Sequence, residues 1–341
     1  MKITHVGIDL AKHVFSVYGM DRRGRCQLRR DLRRPQMLKF FVNLDPCVLG
    51  LEACAGAHHW ARELGKLGHE VRLINPRFVT PYRKSDKNDR NDAEAICEAL
   101  TRPSMRFVAV KSPEQQALLT AHRARSLLSR QRIDLMNQIR GLLAEFGLIV
   151  PQGAPALRRR LPELLEDADN ALPDIAREIF AELYDRWLDL ERRLAESDRR
   201  LRLLARQDPV TRRLMQLPGI GPLTATALVA SVGDLSVFGN ARQFAAWLGL
   251  VPRHYASGGK CRTGRITKRG DAYLRTLLVH GARAALRSAH RREDGLAQWA
   301  LAVKDRRGPN KAAVALAAKH ARILWVMLTR EVDYQPRPVS A

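Results

Sequence analysis

The chain opens on short segments whose apolar positions switch between a two-residue and a three-to-four-residue period. Ile3–Leu10 and His13–Met20 alternate as the two strands of a hairpin, and Arg25–Asp31 follows the Asp21–Gly24 turn as a third strand. Helical spacing takes over in Gln36–Leu44. Cys47–Ala53 is a short apolar run suited to a buried strand, and His58–Leu67 returns to helical steps closed by Gly68. Glu70–Asn75 reads as a strand and Asp89–Leu100 as a helix. The order β-β-β-α-β-α-β-α predicts an α/β domain over residues 1–110, with three antiparallel strands followed by parallel strands joined by helices.

The pattern changes at Ser112. Pro113–Phe146 and Ile175–Arg206 are long, rich in Leu and Arg and nearly free of Gly, with breaks expected at Pro151–Pro155 and Leu161–Pro173. They predict an antiparallel helix pair or coiled coil over residues 111–208. Leu183, Trp187, Leu190 and Leu194 fall at helical steps, which suits ordinary packing or a dimerisation arm. Residues 209–333 predict a third, mostly α region with Gly-rich interruptions, and the tail 334–341, with Pro336 and Pro338, is expected to be disordered. No apolar run approaches the ~20 residues that span a bilayer, and residues 1–20 do not read as a signal peptide. No membrane segment is expected, and a cytoplasmic location is the default.

Charge narrows the function. Among 341 residues, 59 Lys and Arg face 35 Asp and Glu, a formal net charge of +24. Between Arg253 and Arg330 there are eighteen Lys and Arg against four Asp and Glu. Such an excess favours a polyanion, because each neutralised phosphate releases counterions. The five cysteines, Cys26, Cys47, Cys54, Cys97 and Cys261, include no C-x-x-C pair, so buried reduced thiols are expected rather than a disulfide framework or zinc site.

Candidate chemistry begins with acids. Asp9 ends the apolar run of Gly7-Ile8-Asp9-Leu10, and Glu52 ends Val48-Leu49-Gly50-Leu51. Asp89 and Asp92 stand three apart at a helix start and so share one face. Each has an ordinary alternative as a turn former or helix-dipole partner. Together they occupy the places where an RNase H-like (RuvC-like) fold gathers its acids. Four converging carboxylates need a cation, and hard oxygen ligands suit Mg²⁺ or Mn²⁺. Asp86 competes with the same spacing to Asp89, but Ala93, Ile96 and Leu100 continue the helix from Asp89 and Asp92.

In the C-terminal part, Leu217-Pro218-Gly219-Ile220-Gly221 followed by Pro222 fits a helix-hairpin-helix, in which Gly219 and Gly221 let backbone N–H groups approach a phosphate. A plain helix–helix turn is the alternative. Tyr255–Gly270 reads as a flexible Gly-rich loop before a helix over Asp271–Arg287. A serine hydroxyl there needs cations to attack a phosphate, and Lys260, Arg262, Arg265, Lys268 and Arg269 surround Ser257 in sequence. The loop is not a P-loop, because the G-x-x-x-x-G-K-[ST] spacing is absent.

These motifs resemble the DEDD transposases of insertion-sequence family one-ten, most closely the eleven-eleven subgroup, which is related to the Piv DNA invertases. G-I-D-L-A-K with Asp9, L-E-A with Glu52, and K-N-D-R-N-D-A-E-A with Asp89 and Asp92 resemble the RuvC-like half. P-G-I-G-P-L-T-A, F-A-A-W-L-G-L-V-P-R and S-G-G-K followed by I-T-K-R-G-D resemble the transposase half. The resemblance implies a recombinase in which the acids and Mg²⁺ act beside Ser257 of another subunit, which forms a phosphoserine link to DNA. It also implies donor and target DNA, a structured guide (bridge) RNA, and a dimer or dimer of dimers as partners. One departure is local: Glu52 is followed by Ala53-Cys54-Ala55-Gly56 instead of a Thr/Ser-Gly pair. A junction-resolving nuclease using the acids alone, and a non-catalytic nucleic-acid binder, are the competing functions.

Overall fold

The computed structural model describes residues 2–84 and 88–336, with Ser257 described by its backbone alone; Asp86 and residues 337–341 lie outside the described residues. The chain forms two compact units, Met1–Pro113 with Ser231–Gly239, and Glu114–Ala230 with Asn240–Ala341. The expected helical segment 111–208 and the region after it thus fall largely in one unit.

In the first unit the strands are β1 (His5–Leu10), β2 (Val14–Met20), β3 (Cys26–Arg33), β4 (Val48–Glu52), β5 (Glu70–Ile74) and β6 (Phe107–Val108). The helices are α1 (Met37–Phe41), α2 (Ala57–Lys66), α3 (Pro76–Val79) and α4 (Asp89–Leu100). The sheet order is β3-β2-β1-β4-β5-β6, antiparallel from β3 to β1, parallel through β4 and β5, and antiparallel again at β6. This mixed sheet agrees with the expected RNase H-like start; β6 and α3 were not expected. Strand alternation divides the two faces. Val6, Ile8, Leu49 and Leu51 are fully buried in a core shared with Met37 and Phe41 of α1 and with Trp60 and Leu64 of α2. Gly7 and Gly50 belong to the other face, under α4.

The second unit contains α5 (Pro113–Glu145), α6 (Ala154–Glu166), α7 (Asp174–Gln207), α8 (Pro209–Leu214), α9 (Pro222–Ser231) and α10 (Ala241–Trp247). The hairpin β7 (Pro252–Ser257) and β8 (Lys260–Ile266) follows, then α11 (Ala272–Arg287), α12 (Gly295–Arg307) and α13 (Pro309–Thr329). α5 and α7 run antiparallel: Arg125 pairs with Asp198, and a turn or two on, Arg132 pairs with Glu191 at 2.9 Å. Trp187 and Leu194 of the apolar stripe are buried within this unit.

Two expectations are modified here. The breaks expected at Pro151–Pro155 and Leu161–Pro173 hold in part: residues 151–153 and 167–173 are non-helical, but between them lies α6, which carries Pro162 in its interior. Proline leaves the Arg158 carbonyl without its helical donor. The Tyr184 hydroxyl of α7 donates to that carbonyl instead, at 3.1 Å. The Gly-rich loop is the β7–β8 hairpin, turning through Gly258 (φ 55°) and Gly259 (φ 75°), the two positive φ values of a type I′ turn.

Smaller differences concern thiols and termini. Cys47 and Cys97 are buried as expected, but Cys26 and Cys261 are exposed; all five are free. The tail is tied down at its start, where the Tyr334 N–H donates to Gln216 Oε1 at 2.9 Å. α13 is long and apolar enough to cross a membrane by length and composition, contrary to the expectation of no such run. Its Ala313, Leu316, Ala317, Ala321 and Leu324 are instead buried against α10, α11 and α12.

Candidate active site

The acids are brought together by the way α4 lies on the sheet. β1 and β4 are parallel with Ile8 beside Leu51, so the next step of that register sets Asp9 beside Glu52. Both residues fall two positions beyond a glycine and so on the α4 face. A Cβ on Gly7 would overlap the Ala93 carbonyl oxygen and come within 2.9 Å of Cys97 Cβ, and one on Gly50 would come within 2.6 Å of the Leu100 side chain. Bare backbone at both positions lets the helix settle directly on the strands.

α4 runs against β1. Cys97 Sγ donates to the His5 carbonyl at 3.5 Å, and Ala93 lies over Gly7. Four helical residues advance about 6 Å and two strand residues about 6.6 Å, so Cys97, Ala93 and Asp89 keep step with His5, Gly7 and Asp9. The helix starts where it does because Asn88 caps it, its Oδ1 accepting from the Asn91 N–H at 2.8 Å. Asp89 and Asp92 are thereby fixed in the first turn.

The electrostatics agree. Burial first, then the charges of Asp89, Asp92 and Glu52, push the Asp9 carboxyl up to about 6, with only a backbone hydrogen bond from Leu10 opposing. Cys54, just past β4, is raised by burial and then by Glu52 and Asp9. Asp9 therefore feels the other three expected acids. Asp92 is partly neutralised by Arg83, whose Nη1 stands 3.3 Å from its Oδ1.

The four acids offer carboxylate oxygens, which fit a hard divalent cation, and the raised Asp9 marks crowded negative charge that such a cation would relieve. Among the described residues no group of three or more His, Cys, Asp or Glu is gathered tightly enough to hold an ion as the side chains stand. The two observations are compatible. Carboxylates repel over several ångströms, whereas Mg²⁺–oxygen bonds are about 2.1 Å long.

Beside the acids a cleft of about 510 Å³ is lined by Ser16, Asp31, Asp89 and Arg90, among others. Asp31 accepts from Arg90 at 2.7 Å and from the Ser16 hydroxyl at 2.8 Å, and these bonds hold its carboxyl below the usual range. Arg83, Asp31, Arg90 and the two strand glycines were all missed by the sequence reading. The signal for the glycines was present twice, as Gly-apolar-acid in Gly7-Ile8-Asp9 and Gly50-Leu51-Glu52.

In the other unit the backbone of Ser257 ends β7 and pairs with Lys260. Lys260, Arg262, Arg265, Lys268 and Arg269 are exposed, and among the described residues none of them makes an ion pair. Lys268 adopts a left-handed backbone (φ 54°) where the hairpin rejoins the fold. Its base is clamped there, since a Cβ on Gly249 would come within 2.7 Å of the Arg269 nitrogen, and Arg275 Nη1 donates to the Gly270 carbonyl at 3.1 Å. Gly219 (φ 89°) packs against Gly281 of α11, which explains that glycine without a phosphate, while nothing lies near Gly221.

Comparison with known proteins gives a family for both units. A model described as the transposase IS116/IS110/IS902 family matches residues 211–298, and the DEDD transposase model of the IS110 group matches residues 6–147. A probable family 20 transposase of Pseudomonas aeruginosa is 51% identical over 98% of this chain and 100% of its own. The transposase for insertion sequence element IS1111A of Coxiella burnetii is 41% identical over 97% of this chain and 91% of its own. The transposase for insertion sequence element IS1328 of Yersinia enterocolitica is 40% identical over 96% and 97%. The chain belongs to the IS110 family of DEDD transposases.

Proposed function

We propose that the protein is a DNA recombinase that cuts and rejoins DNA through two sets of residues, the acids Asp9, Glu52, Asp89 and Asp92 of one subunit and Ser257 of another. The crowding of Asp9 by three further carboxylates carries this reading. Such crowding works against folding, so it calls for a return in function. The four acids would hold Mg²⁺ or Mn²⁺, which when bound supplies a Lewis acid for the phosphate and its leaving oxygen.

Ser257 is the nucleophile in this proposal. Its hydroxyl gives up a proton and forms a bond to phosphorus while one bridging P–O bond of the DNA breaks. The departing DNA oxygen takes up a proton, and the reverse reaction with another strand rejoins the DNA and frees the serine. Lys260, Arg262, Arg265, Lys268 and Arg269 bind neighbouring phosphates and offset the charge that develops. Gly219 and Gly221 would present backbone N–H groups to DNA in the manner of a helix-hairpin-helix.

A guide (bridge) RNA, kinship with the Piv invertases and a dimer or dimer of dimers complete the proposal. The net charge of +24 supports a large nucleic-acid load. The test is strand exchange by Asp9→Asn and Glu52→Gln, both expected to be inactive while binding nucleic acid as well as the parent does. Normal exchange by either variant would overturn the role given to the acids.

A further inference from the structure

The β7–β8 hairpin carries an aromatic ring that none of the chemistry above uses. Tyr255 pairs with Arg262 across the hairpin, and Ser257 pairs with Lys260. Strand alternation therefore places positions 255, 257, 260 and 262 on one face. Gly264 shares it, and a Cβ there would come within 3.1 Å of a Tyr255 ring carbon. The ring thus rests on bare backbone, yet Tyr255 is 56% exposed, a high value for a large aromatic side chain. Residues 252–270 hold six Lys and Arg and no Asp or Glu.

An exposed ring among unpaired cations suits one kind of partner, a nucleic-acid strand whose bases stack while its phosphates are neutralised. We propose that Tyr255 is a stacking platform for an unpaired DNA base next to the phosphate attacked by Ser257, with Lys260 and Arg262 binding the phosphates alongside. Positions 255 and 257 are about 6.6 Å apart along the strand. That is the reach from a phosphate to a neighbouring base. The proposal rests on the role given to Ser257 and adds how its substrate is held.

The test uses the full-length chain with single-stranded DNA containing 2-aminopurine, whose fluorescence is quenched on stacking. The parent, Tyr255→Phe and Ser257→Ala should quench the probe. Tyr255→Ala and Tyr255→Leu should lose the quench and bind roughly five- to a hundred-fold more weakly. The slope of affinity against salt should stay unchanged, because no cation is removed. Tyr255→Leu still covers Gly264, so it separates loss of the ring from loss of packing. Parent-like quenching by the Ala and Leu variants overturns the platform, as does quenching with a 2-aminopurine RNA but not with DNA. A covalent DNA adduct formed by Ser257→Ala would instead overturn the nucleophile while leaving the platform standing.

Discussion

Ala93 lies so close over Gly7 that any side chain on Gly7 would overlap the Ala93 carbonyl oxygen. This contact sets the height of α4 above the sheet, and with it the distance from Asp89 and Asp92 to Asp9 and Glu52. Gly7→Ala must push backbone aside, whereas the nearest atoms to a Cβ on Gly50 belong to the Leu100 side chain, Cγ included. Gly7→Ala is expected to cost about 2–4 kcal/mol and Gly50→Ala about 1–2 kcal/mol, measured by denaturant unfolding. Equal, negligible losses at both sites would show that α4 does not rest on these glycines.

The raised Asp9 gives stability a direction with pH. Its folded value of about 6 lies above the ordinary 3.8, so its share of stability is full below pH 3.8 and is lost as pH rises through 6. Without metal, Asp9→Asn should therefore be more stable than the parent at pH 7, by roughly 1–2 kcal/mol after solvent screening, and equal to it near pH 4. Thermal melts in a chelator across pH 4–7 would measure this. A less stable Asp9→Asn at pH 7 would mean that the carboxylate is held by an attraction.

Divalent cations should reverse that order. Mg²⁺ or Mn²⁺ is expected to raise the melting temperature of the parent and to do little for Asp9→Asn or Glu52→Gln. Arg83→Gln frees Asp92 from a competing charge and should tighten cation binding several-fold, read by titration calorimetry. Identical metal responses in all four proteins would place the cation elsewhere.

Each cation of the hairpin should contribute to phosphate binding separately. Removing Lys260, Arg262, Arg265, Lys268 or Arg269 one at a time to Ala should weaken DNA binding and lower the log–log salt slope by about 0.7–0.9. An unchanged slope in all five would exclude this hairpin as a phosphate surface.

Much of the first unit was legible because its signals are local. Asp9 and Glu52 are charges at the ends of apolar strands, and α4 occupies the expected residues because Asn88 caps it and the first turn is acidic. What the sequence hid depends on distant partners. α6 survives an internal proline because Tyr184, twenty-two residues later, supplies the donor that Pro162 lacks. Residues Ser231–Gly239 join the first unit through contacts such as Gly233 against Ala109, far apart in sequence. The segment around Gly258 and Gly259 reads as a loop from its glycines alone; the strands become evident only when Tyr255 is seen paired with Arg262.

The most direct measurement traps the reaction on DNA carrying the element's ends, with the full-length protein, its guide RNA and Mg²⁺, and maps any covalent attachment by mass spectrometry. The expected result is a DNA phosphoester on Ser257 in the parent, absent from both Ser257→Ala and Asp9→Asn. Cutting that persists in Ser257→Ala with no protein–DNA link would contradict the shared mechanism and leave a nuclease that works through its acids alone.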